Sequence, residues 1–166
     1  LRGRMAGIAF FDLDRTILDC NSATLWVKRQ LREGRMKRTD ALKMGVMIGM
    51  YQLGGGNIDR AVKQAIRELK DQREDEILQR TELFWEEEVA HRIRPGARPV
   101  IEQHRVNGDA LVLLTGSSTY LSKCALDVLG MDHILCTLFE VDDGVFTGEG
   151  TLCYGPGKLV AAQAYL

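Results

Sequence analysis

Two acids with a single residue between them, Asp12 and Asp14, offer the plainest chemistry in this chain. They stand in Phe10-Phe11-Asp12-Leu13-Asp14-Arg15-Thr16, directly after the apolar run Gly7-Ile8-Ala9. At the ordinary aspartate pKa of about 3.9, Asp12 is ionised at pH 7, as a nucleophile must be. The same value leaves only about one Asp14 in a thousand protonated, so proton donation requires a raised pKa. A neighbouring carboxylate raises it, while a divalent cation pushes the other way on any carboxylate it touches. Two acids in different surroundings therefore suit a nucleophile, Asp12, and an acid/base partner, Asp14. Taken alone, an Asp-x-Asp more often caps backbone amides after a strand.

Two further places could meet an anion. Thr115-Gly116-Ser117-Ser118 follows the apolar run Ala110-Leu111-Val112-Leu113-Leu114 and opens a helical stretch. A hydroxyl with free backbone N–H groups at a helix start binds anions, although an ordinary N-cap reads the same way. Lys158 follows the turn Tyr154-Gly155-Pro156-Gly157 and would supply a point charge beside a phosphate. On its own it reads as a surface lysine.

The elements that must position these groups follow from periodicity. Residues 7–11 read as a buried strand delivering Asp12 and Asp14 at its carboxyl end, on one side of the backbone, where open α/β sheets bind ligands. Four amphipathic helices follow. The first is capped by Ser22, with Leu25, Trp26 and Leu31 inward and Gly34 at its end. The second is capped by Thr39, runs to Leu53 and is broken by Gly54-Gly55-Gly56. The third starts at Asn57, with Ile58, Ala61, Val62, Ala65, Ile66 and Leu69 at helical spacing. The fourth spans 74–93, with Ile77, Leu78, Phe84, Trp85 and Val89 inward, and stops at Pro95-Gly96. Short loops suggest an antiparallel bundle inserted after the first strand. The α/β pattern then resumes: helix 97–106, strand 110–114, helix 120–129, strand 134–138, a hairpin turning at Asp143-Gly144, and a last helix after Lys158.

This set of motifs resembles the haloacid dehalogenase superfamily, in particular its phosphoserine-phosphatase-like subfamily (subclass IB, with a C1 helical cap). Asp12-Leu13-Asp14-Arg15-Thr16 matches the first motif, D-x-D-x-T; Leu113-Leu114-Thr115-Gly116 matches the second, and Lys158 the third. The hairpin sequence 141–148 and the glycine-rich approach to the lysine have counterparts there too. The resemblance implies an α/β fold, a Rossmann-like parallel sheet core with an inserted helical-bundle cap. Residues 1–20 and 94–166 would form the core and 21–93 the cap.

It also implies a Mg²⁺-dependent phosphatase acting on a small phosphorylated metabolite through an aspartyl-phosphate. Asp12 would attack phosphorus, and Asp14 would protonate the leaving alcohol and then activate water. Thr115 and the Gly116 amide would hold phosphoryl oxygens while Lys158 neutralises charge. Mg²⁺ would sit on the Asp12 carboxylate and the Asp14 backbone carbonyl. Asp19 and Asn21 lie near the mouth of this site as candidate substrate contacts. Arg15 stands where the family favours small residues, so it either crowds the site or points to solvent. The family's acidic fourth motif lies downstream of Lys158 and is expected beyond residue 166. A phosphotransferase or mutase using the same intermediate, and a receiver-like phospho-ligand module, are the alternatives.

Composition narrows the partners. The net charge is −1, which gives no basic signature for nucleic acid. The four cysteines, Cys20, Cys124, Cys136 and Cys153, lack metal-ligand spacing and read as reduced thiols of a cytoplasmic protein. His91, His104 and His133 read as structural or solvated. No signal peptide is visible, and the apolar helix 44–53 is too short for stable membrane insertion. Core burial is its default reading, with surface association, dimerisation or a lipid-like substrate as the others. The expected state is a monomer or homodimer. Residues 28–43 carry seven bases against two acids and residues 68–88 nine acids against three bases, which suits mutual attraction between helices or a basic rim that steers anions.

Overall fold

The computed structural model describes residues 6–52 and 58–166. Its elements run β1 (Ile8–Phe11), α1 (Ser22–Arg32), α2 (Arg38–Gln52), α3 (Ile58–Arg67), α4 (Glu74–Phe84), α5 (Ala97–Val106), β2 (Ala110–Ser118), α6 (Thr119–Leu129), β3 (His133–Asp142), β4 (Val145–Thr151) and α7 (Pro156–Tyr165). The expected glycine break at 54–56 and the Asn57 cap lie outside the described residues. So do Leu53 and the side chains of Met47, Ile48, Met50 and Tyr51 on the apolar helix.

The sheet has the order β1-β2-β3-β4, with the first three strands parallel and β4 antiparallel. This is the mostly parallel α/β architecture the motifs imply. β2 is its spine. Leu111, Val112 and Leu113 are all but inaccessible on both faces, the burial that a continuous apolar run encodes. Its flanks carry the main core: Leu13, Ile17 and Leu18 pack with Phe84, Trp85, Val89, Ile101, Leu121 and Ala125.

Several expectations need correction. β1 is not a buried strand. Among the described residues it pairs only with β2, and Ile8 and Phe10, which share one face, are 38% and 36% exposed. An apolar run reports what a strand is suited to, and not what covers it. Asn21, not Ser22, caps α1: its side-chain oxygen accepts from the Thr24 N–H at 2.9 Å, and Ser22 is already helical. α2 starts one residue before the expected Thr39 cap, as the Asp40 and Ala41 N–H groups both donate to the Lys37 carbonyl. Leu31 and Leu78, both expected inward, are each 37% exposed, because the buried face of α1 runs through Ser22, Val27, Arg29 and Gln30 and that of α4 through Ile77, Thr81 and Phe84. After Phe84 the helix loosens into a wide turn, Trp85–Val89, and a tight one, Ala90–Arg92. Strands β2 and β3 each run four residues past their expected ends, to Ser118 and Asp142.

The inserted helices are fastened to the sheet. The Asp71 N–H donates to the Phe146 carbonyl and the Phe146 N–H to the Gln72 carbonyl, so the α3–α4 connection pairs with β4. Ile77, Tyr120 and Phe146 close a second small core beneath it. The Tyr120 hydroxyl donates to Glu74 at 2.9 Å, and burial, reinforced by that bond, raises its pKa. The hairpin turns at Asp143 and Gly144, both with positive φ (47° and 76°), as a two-residue turn of the expected kind demands. The charge blocks meet as mutual attraction: Arg29 binds Glu87 (2.6 Å) and Glu88 (3.1 Å) of the acidic block, besides Glu33 (2.7 Å) of its own helix region, and Arg32 shares Glu88.

Candidate active site

β1 ends at Phe11, and Asp12 still has extended backbone angles. The chain then makes a wide turn. Arg15 adopts positive φ (60°), and the Leu18 N–H reaches back to the Leu13 carbonyl at 2.9 Å. Buried Leu13 and Ile17 pin this turn into the core, while the Asp12 side chain stays 40% exposed and Asp14 is largely enclosed. Arg15 is exposed, so it points to solvent rather than crowding the acids.

Lys158 arrives from the other end of the chain. Its Nζ lies 2.6 Å from Asp12 Oδ1, joining residues 146 apart in sequence. Gly155 (φ 49°) and Pro156 start α7 so that Lys158 falls in its first turn. Gly157 is required there, since a Cβ would sit 2.6 Å from the Leu152 carbonyl oxygen. The other Asp12 oxygen is 3.4 Å from the Thr16 hydroxyl.

Asp14 is held differently. The Ser22 N–H donates to Oδ1 and the Ser22 hydroxyl to Oδ2, both at 2.9 Å. Burial pushes its pKa above the ordinary value. The Ser22 bonds and Lys158 pull it down and Asp12 pushes it up, but burial prevails. That is the direction a proton donor needs. The Ser22 hydroxyl also lies 3.4 Å from that of Ser117, which ties the Asp14 turn to the loop after Leu114.

In that loop Thr115 is 1% exposed and its Oγ1 accepts from the Ser117 N–H at 3.2 Å. Gly116 is packed so closely that a Cβ would fall 2.6 Å from the Tyr154 ring. Ser118 caps α6 through its hydroxyl, which accepts from the Leu121 N–H at 3.4 Å. The second-motif loop therefore touches the Asp14 turn on one side and the segment leading to Lys158 on the other.

Asp19 and Asn21 do not join this cluster. Asp19 faces Arg92 at 3.7 Å and helps line an open cavity of about 690 Å³ with Phe11, Thr16, His91 and Arg94. The cavity's lining includes none of Asp12, Asp14 and Lys158. The Asn21 side-chain oxygen is taken by the Thr24 N–H and hydroxyl. Sequence reasoning missed Ser22 as the partner of Asp14, and also Ser117, Tyr154 and Thr137. Ser22 carried a signal, a hydroxyl at the first helical turn after the acids, where a helix N-terminus favours a carboxylate.

A cation would meet hard oxygens here: the Asp12 carboxylate, 40% exposed, and, as the resemblance implies, the Asp14 main-chain carbonyl. Among the described residues no three His, Cys, Asp or Glu side chains cluster to enclose a metal. One or two carboxylate groups with retained waters is the pattern Mg²⁺ accepts, so the donors fit it. The thiols are spectators: burial pushes Cys124 up to about 11, and Cys136 and Cys153 are also raised by burial.

A mostly parallel sheet with paired acids at one strand end and a lysine folded back onto them defines an α/β protein whose first and third motifs meet in space. Residues 9–166 match the family model of haloacid dehalogenase-like hydrolases, and the chain belongs to that family. It is 24% identical to a histidinol-phosphatase of Neisseria meningitidis over 98% of its own length and 75% of that protein's. It is 25% identical to a phosphoserine phosphatase of Mycobacterium tuberculosis, covering 96% of this chain and 54% of that one. A protein of Streptomyces azureus named for inhibition of morphological differentiation is 30% identical, over 93% of this chain and 58% of that protein. The chain thus spans between about half and three quarters of these relatives. Among solved structures, a Bordetella pertussis protein of unknown function superposes with a TM-score of 0.84 at 25% identity, over 98% of this chain and 75% of that one. A substrate-bound phosphoserine phosphatase shares the fold at a TM-score of 0.63 and 15% identity, over 90% and 64%. No described helix is long and apolar enough to cross a membrane.

Proposed function

We propose that this chain carries the catalytic centre of a phosphomonoesterase that works through an aspartyl-phosphate on Asp12. The observation that carries the reading is the 2.6 Å pairing of Lys158 with Asp12 beside a buried acid of raised pKa. In the first step an Asp12 oxygen forms a bond to phosphorus as the ester P–O bond breaks, and protonated Asp14 gives its proton to the departing alkoxide. In the second step water attacks phosphorus, Asp14 takes the water's proton, and Asp12 leaves as the free carboxylate with inorganic phosphate as product. Lys158, the Thr115 hydroxyl and the Gly116 N–H would balance charge on the phosphoryl oxygens, the positioning and electrostatic work on which phosphoryl transfer depends.

Mg²⁺, held by the Asp12 carboxylate and the Asp14 carbonyl, would supply further charge neutralisation when bound. Residues 1–20 and 94–166 form the catalytic core in this reading and residues 21–93 the cap that selects substrate. The relatives named for histidinol phosphate and phosphoserine make small primary-alcohol phosphates the class to test first. The experiment is phosphate release by the full-length protein with Mg²⁺ from a panel of such esters and p-nitrophenyl phosphate. Turnover that Asp12→Asn abolishes supports the reading, and turnover that survives it refutes the assignment of Asp12.

A further inference from the structure

Strand β3 contributes a buried polar residue for which the catalytic chemistry has no direct use. Thr137 is 2% exposed in the middle of the sheet. Its hydroxyl donates to the Gly116 carbonyl at 2.9 Å and accepts from the Cys153 N–H at 3.2 Å. Those partners are 21 residues before it and 16 after, and they belong to the two loops on which the anion-binding groups ride.

The ladder explains why a side chain is needed. β2 and β3 pair at Leu114–Leu135 and again at Ser118–Thr137, so three residues of β2 oppose one of β3. Over this bulge Thr115, Gly116 and Ser117 are out of step with the neighbouring strand, and backbone groups there must find other partners. The Gly116 carbonyl finds the Thr137 hydroxyl. Cys153 lies two residues past the end of β4, where the ladder no longer supplies an acceptor, and its N–H finds the same oxygen. A hydroxyl has one hydrogen to give and lone pairs to receive, so a single group serves both loops. Above it the loops are in contact, the Tyr154 ring lying against Gly116. At its other end Thr137 is tied to α6, its carbonyl accepting from the Thr119 hydroxyl at 3.3 Å.

We infer that Thr137 is a positioning residue that locks the Thr115–Gly116 loop to the segment bearing Lys158, so that hydroxyl, amide and ammonium meet one phosphoryl group at fixed separation. The inference rests on the reading of those three residues as the phosphate cradle. Valine in its place keeps the shape and removes both bonds. The two loops then move independently, and small misplacement of groups around a reacting phosphorus lowers rate steeply.

The test uses the full-length protein with Mg²⁺, p-nitrophenyl phosphate as substrate and orthovanadate as the oxyanion probe. Thr137→Val is expected to lower kcat/KM about 10- to 100-fold and to weaken vanadate inhibition in parallel, while Thr137→Ser, which keeps the hydroxyl, restores both. In a Lys158→Ala background the same Thr137→Val change should add little, because the two act through one cradle. If Thr137→Val does not fold, Thr137→Cys replaces it, since a thiol is a weak donor and acceptor of similar size. A merely structural threonine predicts a lower unfolding midpoint with kcat/KM per folded molecule and vanadate affinity unchanged, and that result overturns the inference. A wild-type protein with neither turnover nor vanadate binding overturns the reading of the site and this inference with it.

Discussion

The core and the inserted helices hold their polar groups in opposite ways. Around the site, Thr115 and Thr137 are 1% and 2% exposed; the Thr115 hydroxyl accepts from the Ser117 N–H of its own segment, and the Thr137 hydroxyl donates to the Gly116 carbonyl of the neighbouring one. On the helical side, the polar contacts are long charged side chains: Arg29 gathers three glutamates, and Arg32 reaches one of them from a side chain 62% exposed. α2 goes further, with Leu42 and Val46 at 69% and 53% exposure. Short neutral bonds fix distances, whereas ion pairs among long side chains can meet in more than one geometry and, where exposed, are screened by salt. The site's polar groups are joined by short neutral bonds and the helices by charge, although both regions are fastened to the same sheet.

Substitutions can break that contrast, and the largest effect should come from the core. Lys158→Ala removes the charge beside Asp12 and should lower kcat about 10²- to 10³-fold, as loss of one preorganised charge-stabilising group does. Steady-state kinetics with p-nitrophenyl phosphate reads this directly. Arg29→Ala should instead act on stability, by about 2 kcal/mol in urea unfolding, because a nearly buried guanidinium with several charged partners is lost. The kcat of Arg29→Ala should stay near wild type, and an equal fall in kcat would erase the distinction between the regions.

Asp14 sharpens the comparison through pH. Its folded pKa is raised by burial, so the stability it contributes is present below the ordinary carboxylate value and lost as pH rises through the folded value. Asp14→Asn keeps an acceptor for the Ser22 N–H and removes the buried charge. It should raise the thermal midpoint at pH 7 and have a much smaller effect near pH 4, while abolishing turnover of alkyl phosphates. The smallest effect belongs to α2: Leu42→Ser should change stability by no more than about 0.5 kcal/mol, because the side chain is largely in water already.

Much of this was legible in the chain because the informative residues are local. Asp12 and Asp14 announce themselves by spacing, Asp143-Gly144 by turn chemistry, and Ile66, Ile77 and Phe84 by helical period. The sequence does not say why 116 and 157 must be glycine; the close approach of the Tyr154 ring and of the Leu152 carbonyl does. What could not be read were relations between distant segments. β1 has the composition of a buried strand, yet Ile8 and Phe10 stand half open, since composition does not record which neighbours are present. Asn21 and Ser22 were exchanged because either can cap a helix, and only the Thr24 N–H decides between them. Thr137 looks like any β-branched strand residue. Its partners are set by a register shift in β2 that no local pattern encodes.

Catalysis of the proposed kind passes through a covalent bond between phosphorus and one carboxylate. The most direct measurement is to quench the full-length protein in acid during turnover with Mg²⁺, reduce it with borohydride and map the product by peptide mass spectrometry. An acyl phosphate at Asp12 is reduced to the alcohol, so homoserine at position 12, absent without substrate, is the predicted result. A protein that turns over with aspartate intact at 12, or with the reduced residue at 14, would contradict the account.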